Sequence, residues 1–209
     1  EIYLSMNDTI AKLHNVDFDK VNLADYGKHE NYMDRQIHRW TKQYKDSETQ
    51  MIPEINELIE WLPKNIPSDQ ETTIVHGDFR LDNMIFDPIT HEVKAILDWE
   101  LSTLGNPIAD FTYHMMSWRL PAGAKGLGMM GSDLKSLNIP SENEYAELYY
   151  KKTGREKIDN WDFYMAYNIF RLAGIAQGIV GRVRDGTASS SEAKNYEAFV
   201  PILGKLGWS

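Results

Sequence analysis

The chain has 209 residues, 42% of them hydrophobic and 25% charged, with a formal net charge of −9, an ordinary composition with enough apolar material for one globular core. The acidic balance leaves no basic surplus to neutralise phosphates in bulk, which excludes nucleic acid or an anionic membrane as the main partner. Cysteine is absent, so disulfides and thiolate metal sites are excluded and a reducing, cytoplasmic compartment suits the chain.

No apolar run approaches the ~20 residues that span a bilayer; the longest candidate, Ile169 to Val183, is broken by Arg171, Gln177 and Arg182. The chain opens on Glu1, without a secretory signal, directly into Ile2, Leu4, Met6, Ile10 and Leu13 at helical spacing. That is the expected look of a segment of a longer protein. His14 to Asn31 is polar and turn-rich and reads as a surface excursion. Met33, Ile37, Trp40 and Tyr44 predict a second helix, and Ile52, Ile55, Leu58, Ile59 and Leu62 a third. Pro53 suits the first turn of the third helix and Pro63 its end.

The middle changes character. Thr72 to Val75 is short and β-branched, and Met84–Phe86 and Val93–Leu97 flank the turn-forming DPITHE, which predicts a hairpin. Helices then return. Ser141 and Glu144 form a capping-box pattern, and the helix they open should stop near Gly154. Trp161 to about Arg184 reads as the longest helix. Its Gly174, Gly178 and Gly181 mark close packing against a neighbour or a ligand, because each costs ~1 kcal/mol of helix propensity. Ser189 and Glu192 suit the cap of a last helix ending near Leu206. The fold class is therefore α+β, predominantly helical, with short β-ribbons in the middle and no interdomain linker.

Chemistry concentrates in HGDFRLDN, His76 to Asn83, between two apolar runs. Asp98 ends VKAILD, 20 residues after Asp78, so the predicted hairpin can bring Asp78, Asn83 and Asp98 together. Three oxygen-bearing side chains at one point suit Mg²⁺, a hard cation that keeps water and phosphate oxygens in its shell. Zinc-type Cys and His clusters are absent. H-x-D-x-x-x-x-N followed by a strand ending in Asp is the spacing of a kinase catalytic loop and metal loop.

HGDFRLDNMIFDP with AILDWELSTLGNPIAD resembles the aminoglycoside phosphotransferase family, in which H-G-D stands where protein kinases have H-R-D. The resemblance is closest to the kinase-like domain fused to some acyl-CoA dehydrogenases and covers nearly the whole chain. It implies an ATP- and Mg²⁺-dependent transferase acting on a small-molecule hydroxyl, built as residues 1–209 of a protein kinase-like C-terminal lobe. It further implies that Asp78 is the catalytic base and Arg80 a catalytic contact to the transferred phosphoryl group. Asn83 and Asp98 become metal ligands. His76 and Asp110 belong to the cofactor-binding loop, His76 as its organiser and Asp110 as the buried aspartate that pins its backbone. Asp82 reads as an ordinary turn residue.

The Gly-rich loop, strand lysine and helix glutamate of a nucleotide lobe do not precede HGDFRLDN. The expectation is thus a catalytic and acceptor-binding lobe without its nucleotide lobe, inactive alone, with a fused or associated acyl-CoA dehydrogenase as the implied partner. DWE at Asp98–Glu100 replaces the protein-kinase DFG. GLGMMG (Gly126, Gly128, Gly131) spells G-x-G-x-x-G but follows no strand, and it reads as a loop on the acceptor side. Trp118, Met129 and Met130 suit an apolar acceptor pocket or plain core packing. Arg171 and Arg182, eleven residues apart on one helix face, together with Arg184, suit an anionic acceptor group or salt bridges. Two rivals stand beside the transferase: a non-catalytic, pseudokinase-like binding module, and a metal-dependent hydrolase.

Overall fold

The computed structural model describes residues 1–68, 71–122, 128–187 and 195–209. The backbone divides into two compact units, residues 1–30 with 69–159, and residues 31–68 with 160–209.

The first unit holds helices α1 (Ile2–His14), α4 (Pro107–Met115) and α5 (Glu142–Thr153) and four short strands. Strand β1 (Thr73–Val75) pairs antiparallel with β4 (Thr103–Gly105), Ile74 opposite Leu104. Strands β2 (Met84–Phe86) and β3 (Val93–Ile96) form the predicted hairpin, Met84 opposite Ile96. Asp87 folds its turn by accepting from the backbone N–H groups of Ile89 and Thr90, each at 2.9 Å. Helix α1 packs against α5 and β1, and the amide of Asn7 donates to the Tyr145 carbonyl at 2.9 Å. The core is aromatic, with the Phe111 ring stacked on Tyr149 at 3.9 Å between centroids. Helix α4 starts where Asn106 accepts from the N–H groups of Ile108 and Ala109, with Pro107 in the first turn. Helix α5 carries the predicted capping box of Ser141 and Glu144 and stops at Gly154, whose φ is +70°.

The second unit is helical: α2 (Tyr32–Ser47), α3 (Pro53–Trp61), α6 (Trp161–Arg184) and α7 (Asn195–Trp208). Met33, Ile37, Trp40 and Tyr44 are buried along one stripe of α2, as their spacing predicts. The glycines of α6 are the close-approach points against α2. Gly174 lies beside Trp40, Gly178 beside Gln43 and Gly181 beside Ser47. The Gln177 amide closes this seam by donating to the Ser47 carbonyl at 2.6 Å.

One detail departs from the sequence reading. Thr103–Gly105 forms a strand too short and Gly-containing to show periodicity. Helix α3 stops at Trp61, so Pro63 stands at its end, inside a 3-10 turn, Leu62–Lys64. Helix α7 runs to Trp208, two residues past Leu206. The predicted cap at Ser189 and Glu192 falls outside the described residues.

Candidate active site

The loop after β1 is built around one buried carboxylate. Asp110, 3% exposed on α4, accepts the backbone N–H of His76 at Oδ2 and of Gly77 at Oδ1, each at 2.8 Å. His14, at the end of α1, donates from Nε2 to the same Oδ2 at 3.1 Å, and its Nδ1 meets the Tyr149 hydroxyl at 2.7 Å. Burial alone would push the Asp110 carboxyl up. The His14 hydrogen bond and charge, with the two backbone N–H groups, outweigh it and hold the group below the usual carboxylate range.

Gly77 is required where it stands. Its φ is +82°, and a Cβ there would fall 2.6 Å from the Leu101 carbonyl oxygen. The next turn is closed by His76. A carbonyl only accepts and a backbone N–H only donates, so the contacts fix the tautomer: Nε2–H donates to the Leu97 carbonyl at 2.9 Å, and Nδ1 accepts from Asp78 N–H at 3.2 Å. The Trp99 ring packs edge-on against this imidazole at 4.8 Å. His76 and Asp110 are both buried and committed to the loop. Their side chains therefore hold its backbone.

Asp78 emerges from this scaffold with a partly exposed carboxylate. The Tyr113 hydroxyl donates to its Oδ1 at 2.6 Å, and the Asn83 amide donates to its Oδ2 and its backbone carbonyl, each at 2.9 Å. Asn83 closes a 3-10 turn, Leu81–Asn83, just before β2. Its carbonyl accepts Leu97 N–H at 2.8 Å, and the hairpin register thereby sets Asn83 across from the residue before Asp98. Asp98 is exposed, adopts left-handed backbone (φ +62°, ψ +56°) and has no side-chain partner among the described residues. A non-glycine residue in that region is strained by about 1–2 kcal/mol, and such strain gathers at functional sites.

Arg80 forks onto Asp82 through Nε and Nη2, and its Nε stands 3.9 Å from Asp78 Oδ1. Burial lowers the affinity of the Arg80 guanidinium for its proton, but Asp82 and Asp78 together raise it further. Asp82 is thus the residue that holds Arg80 beside the Asp78 carboxylate, and more than a turn former.

Among the described residues no three His, Cys, Asp or Glu side chains converge on a metal-binding point. The donor set nonetheless fits a hard cation of the Mg²⁺ kind. The Asn83 amide nitrogen is committed to Asp78, which leaves its oxygen as the acceptor end, and the Asp98 carboxylate is open. Mg²⁺ takes one or two protein oxygens and completes its shell with water and phosphate.

The remaining sequence candidates have their own surroundings. Trp118 is core: it packs on Tyr3, His114 and Tyr145, and its indole donates to the Pro140 carbonyl at 2.9 Å. Burial there pushes His114 down to about 4. Met129 accepts from the Tyr3 hydroxyl, and Met130 is exposed. Gly126 falls outside the described residues. Gly128 lies close against the backbone of Leu120 and Pro121, and Gly131 has a φ of +88°. Arg171 is buried over the Trp40 ring at 5.3 Å, whereas Arg184 bonds Asp185 and the Glu48 carbonyl. Arg182 and Arg184 line a groove with Arg39 and Lys42, away from the buried Arg171. Tyr113 and His14 were not legible as site residues. The available signal for Tyr113 is its position three residues after Asp110, on the same helix face.

A clamped loop, a braced carboxylate and a hairpin ending in an open aspartate sit on a predominantly helical frame with two-stranded ribbons. The chain belongs to the phosphotransferase enzyme family, which residues 1–147 match. It is 45% identical to mouse acyl-CoA dehydrogenase family member 10 over 208 residues, covering 99% of the chain and 20% of that protein. A crystal structure of a candidate aminoglycoside phosphotransferase from Ralstonia eutropha JMP134 superposes with a TM-score of 0.94 at 50% identity, over 99% of this chain and 63% of that one. Spectinomycin phosphotransferase, solved with ADP and spectinomycin, shares the fold at 12% identity, with a TM-score of 0.60 over 99% of this chain and 64% of that one. The chain thus spans a fifth of the mouse relative and under two thirds of either solved neighbour. The fold is protein kinase-like, as the resemblance implies. No helix among the described residues is long and apolar enough to cross a membrane.

Proposed function

We propose that the chain is the catalytic and acceptor-binding lobe of an ATP- and Mg²⁺-dependent phosphotransferase acting on a small-molecule hydroxyl. The observation that carries this reading is the Asp78 carboxylate, held at both oxygens and presented from a backbone clamped by Asp110. Asp78 orients the acceptor hydroxyl and takes its proton as that oxygen bonds to the γ-phosphorus. The bond from the γ-phosphorus to its bridging oxygen breaks, ADP leaves, and the proton passes from Asp78 to solvent. Arg80 sets a fixed positive charge beside the transferred group. Asn83 and Asp98 would hold Mg²⁺, which when bound neutralises phosphate charge. His76 and Asp110 keep the loop in register.

The nucleotide lobe lies outside this chain in the same reading. Leu81, Ile85, Leu97, Trp99 and Leu101, all around the site, are 37–50% exposed, the kind of apolar rim that another lobe covers. The isolated 209-residue chain is therefore expected to bind ATP weakly and turn over negligibly. The mouse relative, a member of the acyl-CoA dehydrogenase family, supports a hydroxyacyl acceptor such as a 4-hydroxyacyl-CoA and a fused or associated dehydrogenase. The Ralstonia neighbour makes aminoglycosides the second class to assay.

The experiment is transfer of labelled phosphate from ATP by the full-length protein to both acceptor classes. Transfer that requires Mg²⁺ and is lost in Asp78→Asn is expected. ATP-independent phosphoester hydrolysis, or Mg²⁺-nucleotide binding without transfer, would replace this reading by the hydrolase or the binding module.

A further inference from the structure

We infer that Tyr113 is a positioning residue for the base, fixing the plane of the Asp78 carboxylate through its hydroxyl; this rests on the reading of Asp78 as base. An aspartate carboxylate turns about a broad, two-fold χ2 torsion, so a clamped backbone does not by itself orient it. Two bonds to different oxygens do. Asn83 supplies the bond to Oδ2, but Asn83 belongs to the same loop and moves with it. Tyr113 supplies the bond to Oδ1 from α4, a separate rigid element.

The placement of Tyr113 carries the inference further. It stands one helical turn after Asp110, which holds the backbone N–H groups of His76 and Gly77. One face of α4 therefore fixes both the loop backbone and the side chain that acts from it. The Tyr113 ring is 4% exposed, so packing locks the phenol where it is. Arg80 cannot take over the task, since its Nε is 3.9 Å from Oδ1, too far for a hydrogen bond. Each carboxylate oxygen has a second lone pair, so the bracing leaves acceptor capacity for a substrate hydroxyl. A buried phenol also needs a partner for its own sake, and the test must separate the two roles.

The test compares Tyr113→Phe with wild type in the full-length protein, using ATP and a 4-hydroxyacyl-CoA or aminoglycoside acceptor. The ring stays and only the hydroxyl goes. kcat should fall on the order of 10- to 100-fold, as for a base held in the wrong geometry, while KM for ATP stays within about twofold of the wild-type value. Tyr3→Phe, which removes a hydroxyl bound to Met129, should keep the wild-type kcat. A crystal structure of Tyr113→Phe should show the Asp78 carboxylate in more than one orientation. An unchanged kcat, or a single unchanged carboxylate orientation, overturns the inference. The two readings fail separately. Activity in Asp78→Asn removes the base itself, whereas an inactive Asp78→Asn beside a fully active Tyr113→Phe removes only the role of Tyr113. The crystallographic arm decides without any turnover.

Discussion

The loop from His76 to Asn83 and the α2–α6 seam are both tightly determined, but by different physics. The loop is held by directional bonds to carboxylates: buried Asp110 takes two backbone N–H groups and His14, and partly exposed Asp78 takes Tyr113 and Asn83. The seam is held by shape, with glycines of α6 set against Trp40, Gln43 and Ser47. Bonds to a buried charge fail when one partner is removed, because the rest stay desolvated and unpaired. Packing fails when volume is added where the backbone cannot give. Mutations in the two regions should accordingly differ in kind as well as in size.

The largest effect is expected at Asp110. Asp110→Ala strands the N–H groups of His76 and Gly77 and the ring of His14, and should cost about 3–5 kcal/mol, read by chemical denaturation. Because folding holds this carboxyl below its unfolded value of about 3.9, its stabilisation is complete above that pH and is lost as pH falls through the folded value. The acid limb of the stability curve should be flatter in Asp110→Asn than in wild type; identical limbs would assign the acid sensitivity to another group.

Gly77→Ala comes next. Strain at φ +82° and the clash with the Leu101 carbonyl should together cost about 2–4 kcal/mol and abolish transfer. A variant with native melting behaviour and activity would mean that the turn relaxes freely.

The seam gives a comparison of sign. A Cβ at Gly181 would lie 2.8 Å from Ser47 Cβ and 3.3 Å from its backbone, so Gly181→Ala should destabilise by about 1–3 kcal/mol. At Gly174 the nearest atoms, on Trp40, are 3.5 Å away, an ordinary contact. Gly174→Ala should therefore stabilise by up to about 1 kcal/mol of helix propensity. Equal effects at the two glycines would break the account of the seam.

The seam and most of the helical frame were legible in the sequence because period and punctuation are local. The α2 stripe, the capping box at Ser141 and the C-terminal Gly154 all appear where the spacing predicts them. Strand β4 was not legible, since three residues ending in glycine carry no pattern and exist only through pairing with β1. Around the site, residue types and spacing single out Asp78 and Asn83 in the loop and Asp98 and Asp110 beyond it. His14 and Tyr113 escaped because they reach the loop from other helices, and nothing local marks a long-range hydrogen bond. Asp82 reads as a plain turn residue for the opposite reason: aspartate in a turn has a common explanation, and only the geometry displays its fork on Arg80.

In the proposed reaction two tasks are divided, proton acceptance at Asp78 on the loop and cation holding at Asn83 and Asp98 across the hairpin. The most direct measurement pairs Mg²⁺·ATP calorimetry with phosphate transfer in the full-length protein, for Asp78→Asn and Asp98→Asn side by side. Asp78→Asn should bind Mg²⁺·ATP as wild type does and lose transfer, while Asp98→Asn should lose the Mg²⁺-dependent part of binding. Wild-type transfer by either variant would contradict the account.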